Sequence, residues 1–416
     1  MIRSICVALL AAAVQHAPSI AAPLSLEAAL ARTLAATPEG RAGTARLEAL
    51  AAARDQAGVR LNPTLEVYSE NFAGTGPYQF VDAVEVTGSY AQVLERGGKR
   101  AARVALAGSE IGVAKAELVV ARLDIAARVQ RAYVEAVATQ AEIAGVTERL
   151  RAAEALAREV DRRVRSARDP LFAGSRAQTR VAEARVDLEL AEHARDAAVE
   201  RLVALWGGTA AGVEVPTSGF LRFDRDAKGS APPGNTAPEA AVIAARVRRA
   251  EAAVTVEQTR RVQDVTVRAG LRYLRPADDV AVVAGFSIPL GRYDKNRAGV
   301  ARALAERRRV DLEAEVVAAQ RRRDFVLAEE RVHEAMLEAV GVRDRVVPGT
   351  ERTLAQVREG YGRGFFSYLD VADAQTALAA ARARLIKAAR AYHEAGVDLD
   401  RLTGRFATFA LAQETR

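Results

Sequence analysis

Thiols are nearly absent: the 416 residues include a single cysteine, Cys6. Cys6 lies in an N-terminal stretch that reads as a removable leader, so the chain left after cleavage has no disulfide and no cysteine metal ligand. It also precedes most of the leader's apolar run, the wrong place for a lipid-anchor cysteine. Aromatic residues make up only 5% of the chain, too few for a thick globular core. Most of the apolar content is Ala, Val and Leu, whose small volumes suit closely packed helices. After the leader there is no stretch of about 18 apolar residues, so no membrane-spanning helix is expected. A separate basic tail or stripe is also lacking. The net charge is +7, but arginines are interleaved with Glu and Asp throughout. That pattern argues against a nucleic-acid footprint and for solvated helices. No hydrolase, kinase or dinucleotide signature stands out. His16 falls in the leader, and His193, His333 and His393 stand alone on helical segments. A zinc site needs three or four converging ligands. Neither an enzyme, a bound cofactor nor a metal centre is expected.

The leader itself has Arg3, a short apolar run from Ile5 to Val14, and small residues ending in Ser19-Ile20-Ala21-Ala22. Cleavage after Ala21 fits the small-x-small rule and assigns residues 1–21 to a signal peptide. A mature chain placed in a membrane must then be there as strands.

What the chain does have is a repeat. Arg176-Ala177-Gln178-Thr179-Arg180-Val181 lies without gaps on Asp373-Ala374-Gln375-Thr376-Ala377-Leu378, a register that also lays Gly404 on Gly207. Val84-Glu85-Val86 through Lys99 lies on Val280-Ala281-Val282 through Lys295, and Thr37-Pro38-Glu39 on Ala237-Pro238-Glu239. The offset is roughly 200 residues throughout, the signature of a duplicated unit. Residues 22–206 form the first unit: a helix from Pro38 to about Leu61, a β-hairpin over 64–94 and a helical hairpin over 99–206. Residues 238–404 form the second: a helix from Pro238 to about Val262, a hairpin over 265–290 and a helical hairpin over 296–404. Between them, 207–237 is rich in Gly, Pro, Ser and Thr and reads as an irregular linker. Residues 405–416 read as a tail.

No proline occurs between Pro77 and Pro170, so one helix from Lys99 to Arg165 is expected, about 100 Å long at 1.5 Å per residue. Ile125, Val129, Ala132, Ala136, Ile143 and Leu150 fall at the spacing of a coiled-coil seam. Pro348 interrupts the second long helix, where it either kinks it or divides it in two.

The strands alternate. Leu65, Val67, Val84, Val86, Tyr90 and Leu94 oppose Glu66, Glu70, Glu85, Thr87 and Ser89. In the second hairpin Val265, Val267, Ala269, Leu271 and Tyr273 oppose Thr266, Arg268, Gly270 and Arg272. Val280, Val282, Ala284, Phe286, Ile288 and Leu290 make a nearly unbroken apolar face. Strands apolar on one face and polar on the other fit either a half-buried soluble sheet or a transmembrane barrel. In lipid a sheet must close on itself. Four strands cannot close, so chains must pool them: two chains give eight strands with a filled interior, three give twelve and room for a duct.

At these residues the chain resembles the TolC-like outer-membrane efflux family. The resemblance covers almost the whole mature chain. It rests on Asn62-Pro63 before the first strand, Leu94-Glu95-Arg96-Gly97-Gly98-Lys99-Arg100 after the second, Gly291 at the equivalent turn, and Tyr361-x-x-Gly364-x-x-Ser367-Tyr368-Leu369-Asp370 followed by Asp373-Ala374-Gln375. Asn71-Phe72-Ala73-Gly74 and the Gly-Gly-Lys-Arg turn resemble most the outer-membrane component of cobalt–zinc–cadmium type heavy-metal RND pumps. The resemblance implies a mostly α chain with a small β part. Three copies would form a twelve-stranded barrel in the outer membrane and a long periplasmic α-barrel. The partners implied are a periplasmic adaptor, an inner-membrane RND-type pump and outer-membrane lipid. The cargo implied is heavy-metal cations. A duct for drugs or secreted proteins, and a periplasmic coiled-coil scaffold without a pore, are the competing expectations.

Two groups of candidate residues follow. Asp370 and Asp373, three apart on one helix face, would present a ring of carboxylates in a trimer. By resemblance that ring is the periplasmic gate; the competing expectation is ordinary acidic charge at a helix start. Leu171, Phe172, Gly174 and Ser175 at the first helical tip, with Gly364, Phe365, Phe366 and Ser367 at the second, would contact the adaptor, because exposed apolar turns mark partner surfaces. The first tip, Asp169-Pro170-Leu171-Phe172-Ala173-Gly174-Ser175, differs in sequence from the second.

Overall fold

A computed structural model describes residues 23–224, 237–407 and 409. The leader over 1–21, with Cys6 and His16, lies outside the described residues, as do part of the expected linker and most of the expected tail. The elements run α1 (Leu26–Ala36), α2 (Pro38–Ala57), β1 (Thr64–Glu70), β2 (Glu85–Leu94), α3 (Lys99–Arg165), α4 (Leu171–Ala204), α5 (Pro238–Thr259), β3 (Val265–Leu274), β4 (Asp279–Ser287), α6 (Arg297–Gly341), α7 (Val347–Arg363) and α8 (Tyr368–Thr403). No described helix is long and apolar enough to cross a membrane.

Contacts divide the chain into two compact units. One holds the segment ending at Arg32, Val129–Phe223 and Met336–Ala391; the other holds Thr33–Arg128, Asp224–Ala335 and the segment from Tyr392. The first unit holds the ends of both helical hairpins. Its core joins Leu156, Val160, Ala177, Leu354, Val371 and Ala372, most of them small enough for the helices to lie close. The second unit carries the sheet and the helices that feed it. There a Cβ added to Gly43 of α2 would lie 2.4 Å from Leu118 Cδ1 of α3, so glycine allows that approach.

α3 is a single 67-residue helix. Its seam residues Ile125, Val129 and Ala136 are buried, and Ala132, Ile143 and Leu150 half-buried. α1 is an addition to the sequence reading. Only Thr37 separates it from α2, whose first residue is Pro38. Both sequence-placed helices before the hairpins end earlier than expected, at Ala57 and Thr259. Pro348 does not divide the second long helix. A π-turn over Val342–Val346 precedes it and the helix resumes as α7. Proline's ring would press on the carbonyl four residues back, at Asp344. The extra residue in the π-turn opens the helix at that place.

The four strands form one antiparallel sheet in the order β1-β2-β3-β4. β2 and β3 pair from Glu85↔Leu274 to Leu94↔Val265, which joins the two hairpins edge to edge. The register puts Leu65, Tyr90, Ala269 and Ala284 in one row and Val67, Gly88, Leu271 and Val282 in the next on the same face. That face is bare: Leu65 is 78% exposed, Val282 80% and Phe286 76%. The opposite face is an ion-pair ladder. Arg268 Nη2 lies 3.0 Å from Glu66 Oε2, and Arg272 reaches Glu70 at 3.2 Å and Glu85 at 2.9 Å. Ser89 stands opposite Gly270, where a Cβ would lie 2.2 Å from the Gly88 carbonyl oxygen. β4 stops at Ser287, ahead of Pro289, so Ile288 and Leu290 extend the apolar series beyond the strand.

Both returns from sheet to helix are fastened to the segment around β3's start. Asp264 accepts from the Arg96 backbone N–H at 3.0 Å and pairs with Lys99 Nζ at 2.8 Å. Asn296 Nδ2 donates to the Glu257 carboxylate at 2.7 Å. The four helices joined to the strands, α2, α3, α5 and α6, therefore leave from one end of the sheet, and the hairpin loops lie at the other.

Candidate functional site

The candidate residues fall in the first unit, at two hairpin ends. Both ends are built by the same backbone device, in the register of the repeat. Where α7 stops, Gly364 adopts φ +85°. Its N–H donates to the Tyr361 carbonyl at 3.1 Å, and the Phe365 N–H to the Gly360 carbonyl at 2.9 Å. Where α3 stops, Ala167 adopts φ +55°, its N–H donates to Val164 at 3.0 Å, and the Arg168 N–H donates to Arg163 at 2.8 Å. Both are Schellman closures with a left-handed residue past the helix end. The register that lays Asp373 on Arg176 lays Gly364 on Ala167. The first copy thus places alanine where the second has glycine, against the steric preference of a Cβ.

The side chains diverge. At the first tip the position equivalent to Gly360 is Arg163, whose Nε donates to Asp169 Oδ2 at 3.2 Å. At the second tip Phe366, equivalent to Asp169, covers Gly360 so closely that a Cβ there would lie 2.2 Å from its ring. The tips are then locked to each other. The Tyr361 hydroxyl donates to Asp169 Oδ2 at 2.6 Å, Arg163 Nη1 donates to the Tyr361 carbonyl at 3.0 Å, and the guanidinium lies 4.3 Å from the Tyr361 ring centre. Tyr361 is 4% exposed. Burial first, and the Asp169 carboxylate second, push its phenol well above the ordinary tyrosine range.

The expected adaptor-contacting residues lie around this lock. Leu171 is 83% exposed, Phe172 60% and Phe365 78%. Ser175 and Gly364 are exposed and Gly174 is half-buried. Phe366 is half given over to Gly360.

Asp370 and Asp373 are held differently. Ser367 caps α8, and both its backbone N–H and its hydroxyl donate to Asp370 Oδ2 at 2.7 Å. This is a capping box with aspartate in the usual glutamate place. The Ser367 hydroxyl, then its backbone N–H, hold the Asp370 carboxyl below the ordinary aspartate range. Asp373 has a side chain 80% exposed, with Arg180 Nη2 at 3.9 Å. Sequence reasoning finds both acids but misses Arg163, Asp169 and Tyr361 as a cluster. Nothing in their spacing pairs residues so far apart in the chain.

Among the described residues no group of three or more His, Cys, Asp or Glu could hold a metal ion. What the arrangement offers is a pinned pair of helix ends with apolar side chains outside and carboxylates at one helix start.

Comparison with known proteins gives the same architecture. A family model described as "Outer membrane efflux protein" matches residues 29–208 and 235–405. The cobalt-zinc-cadmium resistance protein CzcC of Cupriavidus metallidurans is 28% identical over 397 residues, 92% of this chain and 91% of that protein. The nickel and cobalt resistance protein CnrC of the same organism is 30% identical over 313 residues, 73% of this chain and 70% of that protein. Among solved structures, the outer membrane protein VceC of Vibrio cholerae superposes with a TM-score of 0.72 at 20% identity, covering 91% of this chain and 96% of that one. CusC, a transmembrane channel, superposes with a TM-score of 0.66 at 14% identity, covering 91% of each chain.

Proposed function

The chain belongs to the outer membrane efflux protein family, and from that footing we propose that three copies pool their sheets into a twelve-stranded barrel, the exit duct of a tripartite pump for heavy-metal cations. It is an outer-membrane efflux channel with a large helical periplasmic portion. The single observation that carries the assembly is the sheet. Among the described residues one face is bare and apolar, and both edges, β1 and β4, are open. In lipid the apolar face is favoured, but each unpaired backbone group at an edge costs several kcal/mol. Pairing β4 of one copy with β1 of the next keeps the antiparallel alternation and removes both edges. The ion-pair ladder then lines the lumen, where water can reach it. Two repeated units, 22–206 and 238–404, supply the four strands.

The heavy-metal cargo follows from the relatives, which are named for cobalt, zinc, cadmium and nickel resistance. Energy comes from the inner-membrane RND-type pump, and a periplasmic adaptor meets the tips at Leu171, Phe172, Gly174, Ser175, Gly364, Phe365, Phe366 and Ser367. Asp370 and Asp373 form the periplasmic gate. The capping box ties Asp370 to its own helix, so Asp373 is the carboxylate freer to face a neighbour or a cation.

The test has two arms. Detergent-extracted protein should have the mass of a trimer and conduct in planar bilayers; a monomer without conductance would leave only a scaffold. A deletion strain should become sensitive to cobalt, zinc or cadmium. Sensitivity to drugs with unchanged metal tolerance would overturn the cargo and keep the duct.

A further inference from the structure

The sheet's far end is not built alike in its two hairpins. β3 and β4 are joined by a short turn through Arg275–Ala277 and Asp278. β1 and β2 are joined by residues 71–84, long enough to have a structure of its own. Its feet are held by the Glu70↔Glu85 pairing and by Asn71 Nδ2, which donates to Glu85 Oε1 at 3.4 Å. Inside it Gly76–Tyr78 forms a 3-10 turn, and a Cβ on Gly74 would lie 2.9 Å from the Tyr78 Cβ. A loop that packs on its own backbone should fold its large apolar side chains inward. This one turns them out. Phe80 is 80% exposed, Phe72 60%, Tyr78 49% and Val81 47%. Phe80 does so at φ +54°, a strained conformation for a bulky residue.

Composition points to the occupant. Residues 71–81 contain no charged side chain; they are aromatic, small or neutral polar. Solvated loops and protein-docking rims carry charge, whereas aromatic residues without charge suit the zone between lipid chains and water. The position agrees. The bare face of the sheet ends in the row Ser69, Val86, Tyr273 and Val280, and the loop follows directly. Helices leave from the opposite end, so the loop lies on the outer side of the membrane. We propose that residues 71–81 form a ledge seated in the outer leaflet, with Phe72 and Phe80 among the lipid headgroups and upper acyl chains and Asp82 just beyond it on the return to β2. The ledge anchors the outer rim of each copy and rests on the reading that the sheet's apolar face meets lipid.

The test uses full-length protein in vesicles of phosphatidylcholine brominated at a chosen depth. Phe80→Trp and Phe286→Trp are made separately, and the emission of wild type, from its single Trp206, is subtracted. Both sites are highly exposed, so neither tryptophan needs room in a core, and Phe286 lies three rows in from the Val280 row at the outer end. The expected result is loss of Phe80→Trp emission with bromines near the headgroups and a smaller loss with bromines at the bilayer centre. Phe286→Trp should show the opposite order. Phe72→Trp should behave like Phe80→Trp. If Phe286→Trp is quenched by the lipid but both loop variants respond only to aqueous iodide, the ledge is wrong and the lipid-facing sheet stands. If no variant responds to brominated lipid, the sheet reading fails and takes the ledge with it. A double Phe72→Ser, Phe80→Ser variant separates a ledge from a plug: unchanged conductance supports the ledge, and increased conductance would place the loop in the channel mouth.

Discussion

The Tyr361 hydroxyl reaches Asp169 Oδ2 across 2.6 Å, and with it the end of one helical hairpin is tied to the end of the other. Asp169 already pairs with Arg163, and the two side chains are 12% and 14% exposed. Tyr361→Phe removes a hydrogen bond to a charged acceptor, a loss of about 1.5–3 kcal/mol for such bonds. Amide exchange at Ala167, Arg168 and Asp169 should quicken by tenfold or more, since about 1.4 kcal/mol is a factor of ten. Because the folded phenol holds its proton above the ordinary tyrosine range, the bond's contribution is full below about pH 10 and fades as pH rises through the raised value. Alkaline unfolding scans should show that loss in wild type and lack it in Tyr361→Phe.

The two Schellman closures give a matched pair of substitutions. Ala167→Gly relieves a Cβ held at positive φ and should raise the unfolding midpoint, by up to about 1 kcal/mol after glycine's entropy is counted. Gly364→Ala imposes the same strain and should lower it by about 1 kcal/mol. Differential scanning calorimetry of the detergent-solubilised protein reads both. Equal and unchanged midpoints would mean that the tips do not unfold with the rest.

The two acids of the second tip should separate. Asp370→Ala breaks the capping box with Ser367, so amides at Ser367 and Tyr368 should exchange faster. Its carboxyl is held below the ordinary aspartate range, so the box persists at neutral pH and is lost only as pH falls through that lowered value. Asp373→Ala leaves the box intact. If the carboxylates close a gate, Asp373→Ala should raise single-channel conductance, and the double variant should raise it further. Conductance equal to wild type in the double variant would remove the gate.

On the bare sheet face, Phe286→Arg places a cation three rows in from the outer end, deep in the band that meets lipid, at a cost of about 2–4 kcal/mol per copy. The yield of detergent-extracted oligomer from the outer-membrane fraction should collapse. Arg268→Ala, on the ladder face, should leave that yield near wild type, because Glu66 then faces a watery lumen.

Much of this is legible in the sequence. Lys99 to Arg165 is one helix because no proline breaks it and its apolar seam runs without interruption. The strand faces follow from alternation alone, since a period of two leaves no choice of side once the register is set. What stayed hidden was of two kinds. α1 and the π-turn before Pro348 depend on local backbone geometry that composition does not encode. The lock of Arg163, Asp169 and Tyr361 depends on which turn meets which, a fact of tertiary packing. The Ser367-x-x-Asp370 spacing is a helix-start signature in plain sight: the sequence reading has acidic charge at that helix start, and the structure adds the Ser367 donors that hold Asp370 there.

The open edges of the four-stranded sheet bear on biogenesis. A single copy offers β1 and β4 as sticky templates with an apolar face between them, so a chain waiting for its neighbours is an aggregation hazard. On the proposed three-copy barrel, insertion and assembly are then one event. The appearance of channels should rise more steeply than linearly with the supply of newly exported chain, and periplasmic holding factors should matter most when that supply is low and the wait is long.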